Sequence, residues 1–317
     1  MSCRQRMGLS QPSKQLNDSR RERMKILLLG KNGQVGWELQ RALAPVGGVT
    51  ALDRYSTDHC GDLSDLEGLR TTIRTLKPDV IVNAAAYTAV DKAESDKALA
   101  YIVNADAAQI MAEEAEKLGS WLVHYSTDYV FAGTGTMPWQ ETSPLSPVNT
   151  YGKSKLLGEQ AIIASGCKYL IFRTSWVYGA KGNNFAKTML RLAKDRETLN
   201  VIVDQIGAPT GAELIADVTA HAIVKAAPDA CLSGIYHLAA GGETSWHGYA
   251  DFVIDVARAH GEVLAVASIA PIPTSEYPTP AARPLNSRMN TQKIRNAFSL
   301  QLPDWKVGVE RMLREYL

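Results

Sequence analysis

The chain has 317 residues, 45% hydrophobic and 21% charged, which is enough to bury one large core or two. Its formal net charge is +1, yet residues 1–23 alone carry six basic and two acidic side chains, so residues 24–317 sum to −3. A mildly acidic body argues against a nucleic-acid surface.

The opening stretch, MSCRQRMGLSQPSKQLNDSRRER, is polar and aperiodic and reads as a disordered extension; a basic arm that binds a partner is the other reading. Met24 then opens MKILLLG as a natural first strand. The apolar run after Lys25 is four residues, short for a signal peptide, and no segment reaches membrane-spanning length. Cys3, Cys60, Cys167 and Cys231 lie far apart, and the six histidines are scattered. That usage fits a reducing cytoplasm and offers neither a disulfide framework nor a zinc site.

From residue 25 short apolar runs alternate with helical patterns. KILLLG reads as a buried strand, GQVGWELQRALAP as a helix ended by Pro45, and GVTALD as a second strand. A helix, a breaker at Pro78 and a third strand follow in DLEGLRTTIRTLKPDVIVNAAA. DKALAYIVNADAAQIMAEEAEKLG is one long helix closed by Gly119, WLVHYST a strand, NTYGKSKLLGEQAIIASG a helix, and KYLIFRTSWV the next strand. Repeated β-then-α units with nearly continuous apolar strands predict an α/β fold: a Rossmann-type, doubly wound parallel sheet over residues 24–175. Beyond residue 176 the alternation loosens, and PIPTSEYPTPAARP carries five prolines in fourteen residues. Residues 176–317 are expected to form a smaller α/β substrate lobe, with segments around 199–226 returning to the main sheet.

Three features carry chemistry. GKNGQVG spaces Gly30, Gly33 and Gly36 by three, directly after the first strand and at the mouth of a helix. Such a turn lets backbone approach a pyrophosphate, with a helix N-terminus beneath it; a purely structural strand-to-helix turn is the plainer alternative. Asp53 ends the second strand, where a carboxylate accepts from a ribose 2′-hydroxyl and favours NADH, unless Arg54 and Lys31 offset it and admit NADPH. Tyr151 and Lys155 share a helix face at i and i+4, and Thr127 ends the preceding strand. A nearby ammonium lowers a phenol's pKa toward neutrality, which makes it a usable acid or base.

Gly-x-x-Gly-x-x-Gly, Ser-Thr at a strand end and Tyr-x-x-x-Lys on the next helix resemble the extended short-chain dehydrogenases/reductases. HYSTDYVFAG, NTYGKSKLLGE, RTSWVYG, NNFAKTML, DQIGAPT and RPLNSRMNTQK, in that order, resemble the dTDP-4-dehydrorhamnose reductases over residues 24–317. The resemblance implies reduction of a dTDP-4-keto-6-deoxy-L-sugar at C4 with NADPH or NADH, the last step of dTDP-rhamnose synthesis for cell-surface polysaccharide. It implies Tyr151 as proton donor, Lys155 as its tuner and a nicotinamide-ribose ligand, and Thr127 as the orienting hydroxyl. Cofactor contacts would include Gly33, Gln34, Val35, Asp53, Asp62, Leu63, Ala86, Tyr87, Thr88 and Tyr125. Thr127, Asp128 and Trp176 would meet the sugar nucleotide. Some members of the family are magnesium-linked homodimers, and Glu38, Glu213 and Glu315 are the carboxylates to consider for that metal; three unrelated solvated glutamates are the alternative.

Related enzymes share these motifs. Nucleotide-sugar 4,6-dehydratases place an acid directly after the Thr-Asp pair, where this chain has Tyr129. Nothing readable in the sequence excludes an epimerase, although the C-terminal motifs resemble the reductase's. A cofactor-binding regulatory subunit of methionine adenosyltransferase also resembles this family; Trp176, available to pack on a sugar or base, leans toward the reductase.

Overall fold

The computed structural model describes residues 23–317, so the extension assigned to residues 1–23 lies outside them but for Arg23. β1 (Lys25–Leu29) leads to α1 (Gln34–Leu43), and β2 (Gly48–Leu52), α2 (Leu66–Leu76) and β3 (Val80–Asn83) repeat the alternation. Two short helices, α3 (Val90–Ala93) and α4 (Lys97–Tyr101), precede a π-helical turn (Ile102–Asp106) and α5 (Ala107–Leu118). β4 (Trp121–Thr127), α6 (Thr150–Ser165) and β5 (Lys168–Thr174) follow. The remainder comprises β6 (Val177–Tyr178), α7 (Phe185–Asp195), β7 (Thr198–Ile202), β8 (Ile206–Gly207), β9 (Thr210–Gly211), α8 (Ala212–Ala226), β10 (Gly234–His237), β11 (Thr244–Ser245), α9 (Trp246–Ala259), β12 (Ser268–Ile272), α10 (Gln292–Phe298) and α11 (Trp305–Tyr316).

The central sheet has the order β10-β5-β4-β3-β1-β2, and every pairing in it is parallel. The run of leucines in β1 is explained by burial on both faces. Ile26 and Leu28 point into a core with α1, α8 and α10, while Leu27 and Leu29 point into one with α2, α5 and α6. The predicted doubly wound sheet is therefore present. Strand order reverses between β1 and β3, which opens a crevice at the carboxyl ends of the strands.

The chain beyond residue 176 divides between two places. α8 packs against α1, and β10 is one of the sheet's two edge strands, so both belong to the layers of the main sheet. β7 does not: it pairs with β12 in a separate two-stranded sheet. Its alternating burial, with Leu199 and Val201 inward, serves a third core formed with α7, α9 and α11. The long helix predicted to end at Gly119 is continuous, but a π turn interrupts its regular pitch. The strand predicted as KYLIFRTSWV is broken at Trp176, whose φ of 50° turns the chain out of the sheet.

Candidate active site

The β1–α1 turn forms one end of a cleft of about 730 Å³. Gly30 has φ +88°, and its N–H and that of Lys31 both donate to the Leu52 carbonyl, at 2.8 and 3.1 Å. A Cβ on Gly30 would sit 2.7 Å from the Ala85 nitrogen, and one on Gly36 would sit 2.0 Å from the Gly30 carbonyl oxygen. Gly36 thus seats the helix against the turn and does not line the cleft, a correction to its place among the contact residues. Gly33 caps α1 without a side-chain hydrogen bond, so the first N–H groups of the helix keep no internal acceptor and face the cleft that Gly33, Gln34 and Val35 line.

Asp53, Asp62, Leu63, Ala86 and Thr88 line the same cleft, and Arg54 stands beside Asp53. The Asp53 carboxylate is already engaged: Oδ1 accepts from the Tyr55 N–H and the Ser56 hydroxyl at 3.0 and 3.1 Å, and Oδ2 from the Asn32 amide. It is both a turn residue and a cleft residue. Tyr87 is not on the wall. Its backbone is clamped by Asn104 of the π turn, and its hydroxyl donates to Asp96 at 3.2 Å.

The catalytic candidates converge at the other end. Asn149 caps α6 by accepting from the Gly152 N–H at 2.8 Å, and Glu94 accepts from the N–H and hydroxyl of Thr150. This fixed N-terminus carries Tyr151 and Lys155 onto the cleft wall with Tyr125, Thr127 and Asp128. Tyr129 meets Tyr151 edge to face, with centroids 5.5 Å apart. Burial pushes the Tyr151 phenol well above its ordinary value, the Thr127 hydroxyl pulls the other way, and the neighbouring Asp128 adds to the rise. The predicted lowering by Lys155 is absent here, because the Lys155 Nζ turns inward to the Nε2 of His124 at 3.0 Å. Burial brings the Lys155 amine down to about 8. Asp128 is pushed up to about 6 by burial, although the hydroxyls of Ser287 and Thr127 oppose this.

The cleft is closed by Trp176 and Trp246, whose rings stack 3.6 Å apart and 14° from parallel. Gly207 leaves room for the Trp176 ring: a Cβ there would meet it at 2.9 Å. Trp246 is fixed in turn by an Nε1 hydrogen bond to Gln205 at 3.0 Å. Around them the hydroxyls of Ser126, Thr174 and Ser175, and Oδ2 of Asp128, are buried without a hydrogen-bond partner, yet all four residues line the cleft. Unsatisfied buried polar atoms at a cleft wall fit a polar ligand that supplies their partners.

The model of the RmlD substrate binding domain family matches residues 24–317. The chain belongs to this family, the dTDP-4-dehydrorhamnose reductases. It is 61% identical over 292 residues to the dTDP-4-dehydrorhamnose reductase of Salmonella typhimurium, covering 92% of this chain and 98% of the relative. To the enzyme of that name from Escherichia coli K12 it is 59% identical, with the same coverage. A solved dTDP-4-dehydrorhamnose reductase from Bacillus anthracis in complex with NADP superposes with a TM-score of 0.82 at 36% identity, covering 92% of this chain and 99% of that one.

In this member of the family, Glu38, Glu213 and Glu315 come to one surface through α1, α8 and α11, but Glu38 pairs with Arg41 at 3.3 Å. Arg311 sits between Glu213 and Glu315, at 3.6 and 3.4 Å. Among the described residues no three carboxylates, imidazoles or thiols gather closely enough to hold a metal, so within one chain this donor set does not fit magnesium. Sequence reasoning missed His124, Asn83, Asn104 and Trp246. Their contacts run to strand or helix residues distant in sequence, and although His124 opens HYSTDYVFAG, nothing in that stretch marks its partners.

Proposed function

We propose that this chain reduces the C4 keto group of dTDP-4-dehydro-β-L-rhamnose with NADPH or NADH to give dTDP-L-rhamnose. The observation that carries the reading is that Tyr151, Thr127, Asp128 and Trp176 share one cleft with the β1–α1 glycine turn. Its glycines admit a pyrophosphate, and its unpartnered hydroxyls fit a polar ligand. Because the Asp53 carboxylate is held by Asn32 and its own turn, and Arg54 stands beside it, the cleft accommodates a 2′-phosphate as well as a 2′-hydroxyl. When bound, the reduced nicotinamide supplies a hydride to C4.

The residues of the chain do the rest. Tyr151 is protonated at neutral pH, since burial raises its pKa, and it donates that proton to the developing C4 alkoxide. Hydride plus proton balances the reduction of C=O to CH–OH. Thr127 orients the carbonyl, and Asp128, with Oδ2 free of other partners, accepts from a sugar hydroxyl. Trp176, backed by Trp246, supplies a flat face for the sugar or base. No step is assigned to magnesium. The same reading takes the protein as a cytoplasmic homodimer, in keeping with the absence, among the described residues, of any helix long and apolar enough to cross a membrane; sedimentation in the presence and absence of a chelator tests the dimer and its dependence on metal.

The decisive assay mixes the protein with the dTDP-4-keto-6-deoxy-L-sugar and NADPH or NADH and follows loss of the reduced-nicotinamide absorbance. Turnover with dTDP-L-rhamnose as product is expected. No turnover with either cofactor, with and without magnesium, overturns the reading.

A further inference from the structure

His124 lies inside β4 with 1% of its surface exposed, and Asn83 of β3 and Lys155 of α6 are as deeply buried, at 1% and 2%. Asn83 and His124 are register partners on adjacent parallel strands, so their side chains leave the same face of the sheet, and α6 covers that face. The two ring nitrogens of His124 face different groups. Nδ1 is 3.1 Å from Asn83 Nδ2, and Nε2 is 3.0 Å from Lys155 Nζ.

The orientation of the Asn83 amide is set by backbone. Its Oδ1 accepts from the Ala85 N–H at 3.2 Å, and a backbone N–H cannot reverse its role. The amide NH₂ therefore faces the ring, and Nδ1 of His124 must accept. A neutral imidazole with an accepting Nδ1 carries its proton on Nε2, and that N–H points at Lys155. An ammonium has no lone pair with which to accept it; an amine has one.

We infer that Asn83 and His124 form a tautomer lock that presents an N–H to Lys155 and so favours its neutral amine over its ammonium in the unliganded protein. His124 is then a positioning residue that acts through Lys155. The lock stands on geometry alone, whereas its consequence for turnover rests on the reductase reading above. Burial acts in the same direction, bringing Lys155 to about 8 and His124 well below its usual value, with the Lys155 charge adding to the latter. The opposing influence on Lys155 is Glu159 on α6, itself clamped by Arg173 of β5 at 2.9 and 2.6 Å. The remaining ionisable groups of the cleft end are Tyr151, one turn earlier on α6, Tyr125 on β4, and Asp128 and Tyr129 beyond β4. β3 and the π turn contribute the uncharged Asn83 and Asn104.

The test is histidine NMR on the ¹⁵N-labelled full chain, with the His124 signal identified by its loss in His124→Gln. The wild-type ring is expected to be protonated on Nε2 and bare on Nδ1 above about pH 8, where Lys155 is the amine. A wild-type ring protonated on Nδ1, or on both nitrogens, above that pH overturns the proposal without any variant. Asn83→Asp keeps one oxygen for the Ala85 N–H and turns the other on Nδ1, which must then carry the proton. The tautomer should reverse, Nε2 should accept, and the Lys155 Nζ should titrate about one pH unit or more higher. The alkaline limb of kcat/KM for the reduced cofactor, which reports the free enzyme, should move up with it. A folded Asn83→Asp protein with an unchanged tautomer and unchanged Lys155 titration overturns the lock. Absence of turnover in the wild type would sink the reductase reading and leave the NMR result to decide the lock.

Discussion

Tyr151 combines two properties that a proton donor needs: a phenol kept protonated by burial, and a ring fixed edge-on by Tyr129. Tyr151→Phe keeps the ring and removes the proton. It is expected to lower kcat by about 10²- to 10⁴-fold while leaving the equilibrium affinity for reduced cofactor, measured by fluorescence titration, nearly unchanged. Near-normal turnover would remove Tyr151 from the acid role. Trp246 touches the second face of Trp176 and is held by Gln205, so Trp246→Ala leaves Trp176 present but unsupported. An aromatic pair contributes about 0.5–1.5 kcal/mol, which predicts a rise of roughly 2- to 12-fold in KM for the sugar nucleotide with little change in kcat. An unchanged KM would show that the stack does not support the substrate. Trp176 was legible in RTSWVYG; Trp246 was not, because 70 positions separate the two rings in the chain.

At the scale of elements, the site depends on how closely α6 approaches the π turn. Gly158 makes that approach: a Cβ there would lie 2.2 Å from the Asn104 carbonyl oxygen. Backbone on both sides leaves little room to yield, so Gly158→Ala should destabilise by about 1–3 kcal/mol in urea unfolding and should also lower kcat, since α6 carries Tyr151 and Lys155. Wild-type stability in that variant would mean that the helix shifts without cost. α6 is tied to β5 by the Glu159–Arg173 pair, both members 1% exposed. Arg173→Leu strands a buried carboxylate and is expected to cost about 3–5 kcal/mol, whereas replacing both partners with apolar residues should cost much less. The sequence showed α6 and β5 as elements but not this pairing, because nothing in either segment says which strand the helix covers.

For the molecule as a whole, acid stability follows from two buried groups, an imidazole held neutral and a carboxylate held charged. Burial, then the charge of Arg173, lowers His237 from 6.5 to about 3, so the unfolded chain binds a proton there that the folded chain refuses. Hydrogen bonds from Arg74, Lys117 and Arg70 bring Glu114 from 4.5 to about 2 against the cost of burial. Both folded values lie below the unfolded ones, so both contributions are present at neutral pH and are lost as pH falls. His237 acts below pH 6.5 and Glu114 below 4.5. Urea midpoints measured from pH 7 to pH 3.5 should fall in those two windows, and Glu114→Gln should flatten the lower one. A midpoint that holds steady down to pH 4 would contradict the His237 assignment.

The sequence by itself determined the sheet and the two ends of the cleft. Leucines in unbroken series specify a strand buried on both faces, and glycines at a strand-to-helix junction specify a turn that side chains would block. Tyr151 is the single tyrosine followed at four residues by lysine, so the pair could be singled out before any fold was known. Tertiary structure alone decided what those residues touch. It turned Lys155 from the phenol toward His124, moved Gly36 and Tyr87 off the cleft wall, sent β7 to β12, and stacked Trp246 behind Trp176. The physical reason is common to all of these. Local pattern fixes which face of a strand or helix is apolar, but the partner of a buried polar group depends on strand order and register, which are set by contacts among segments far apart in the chain.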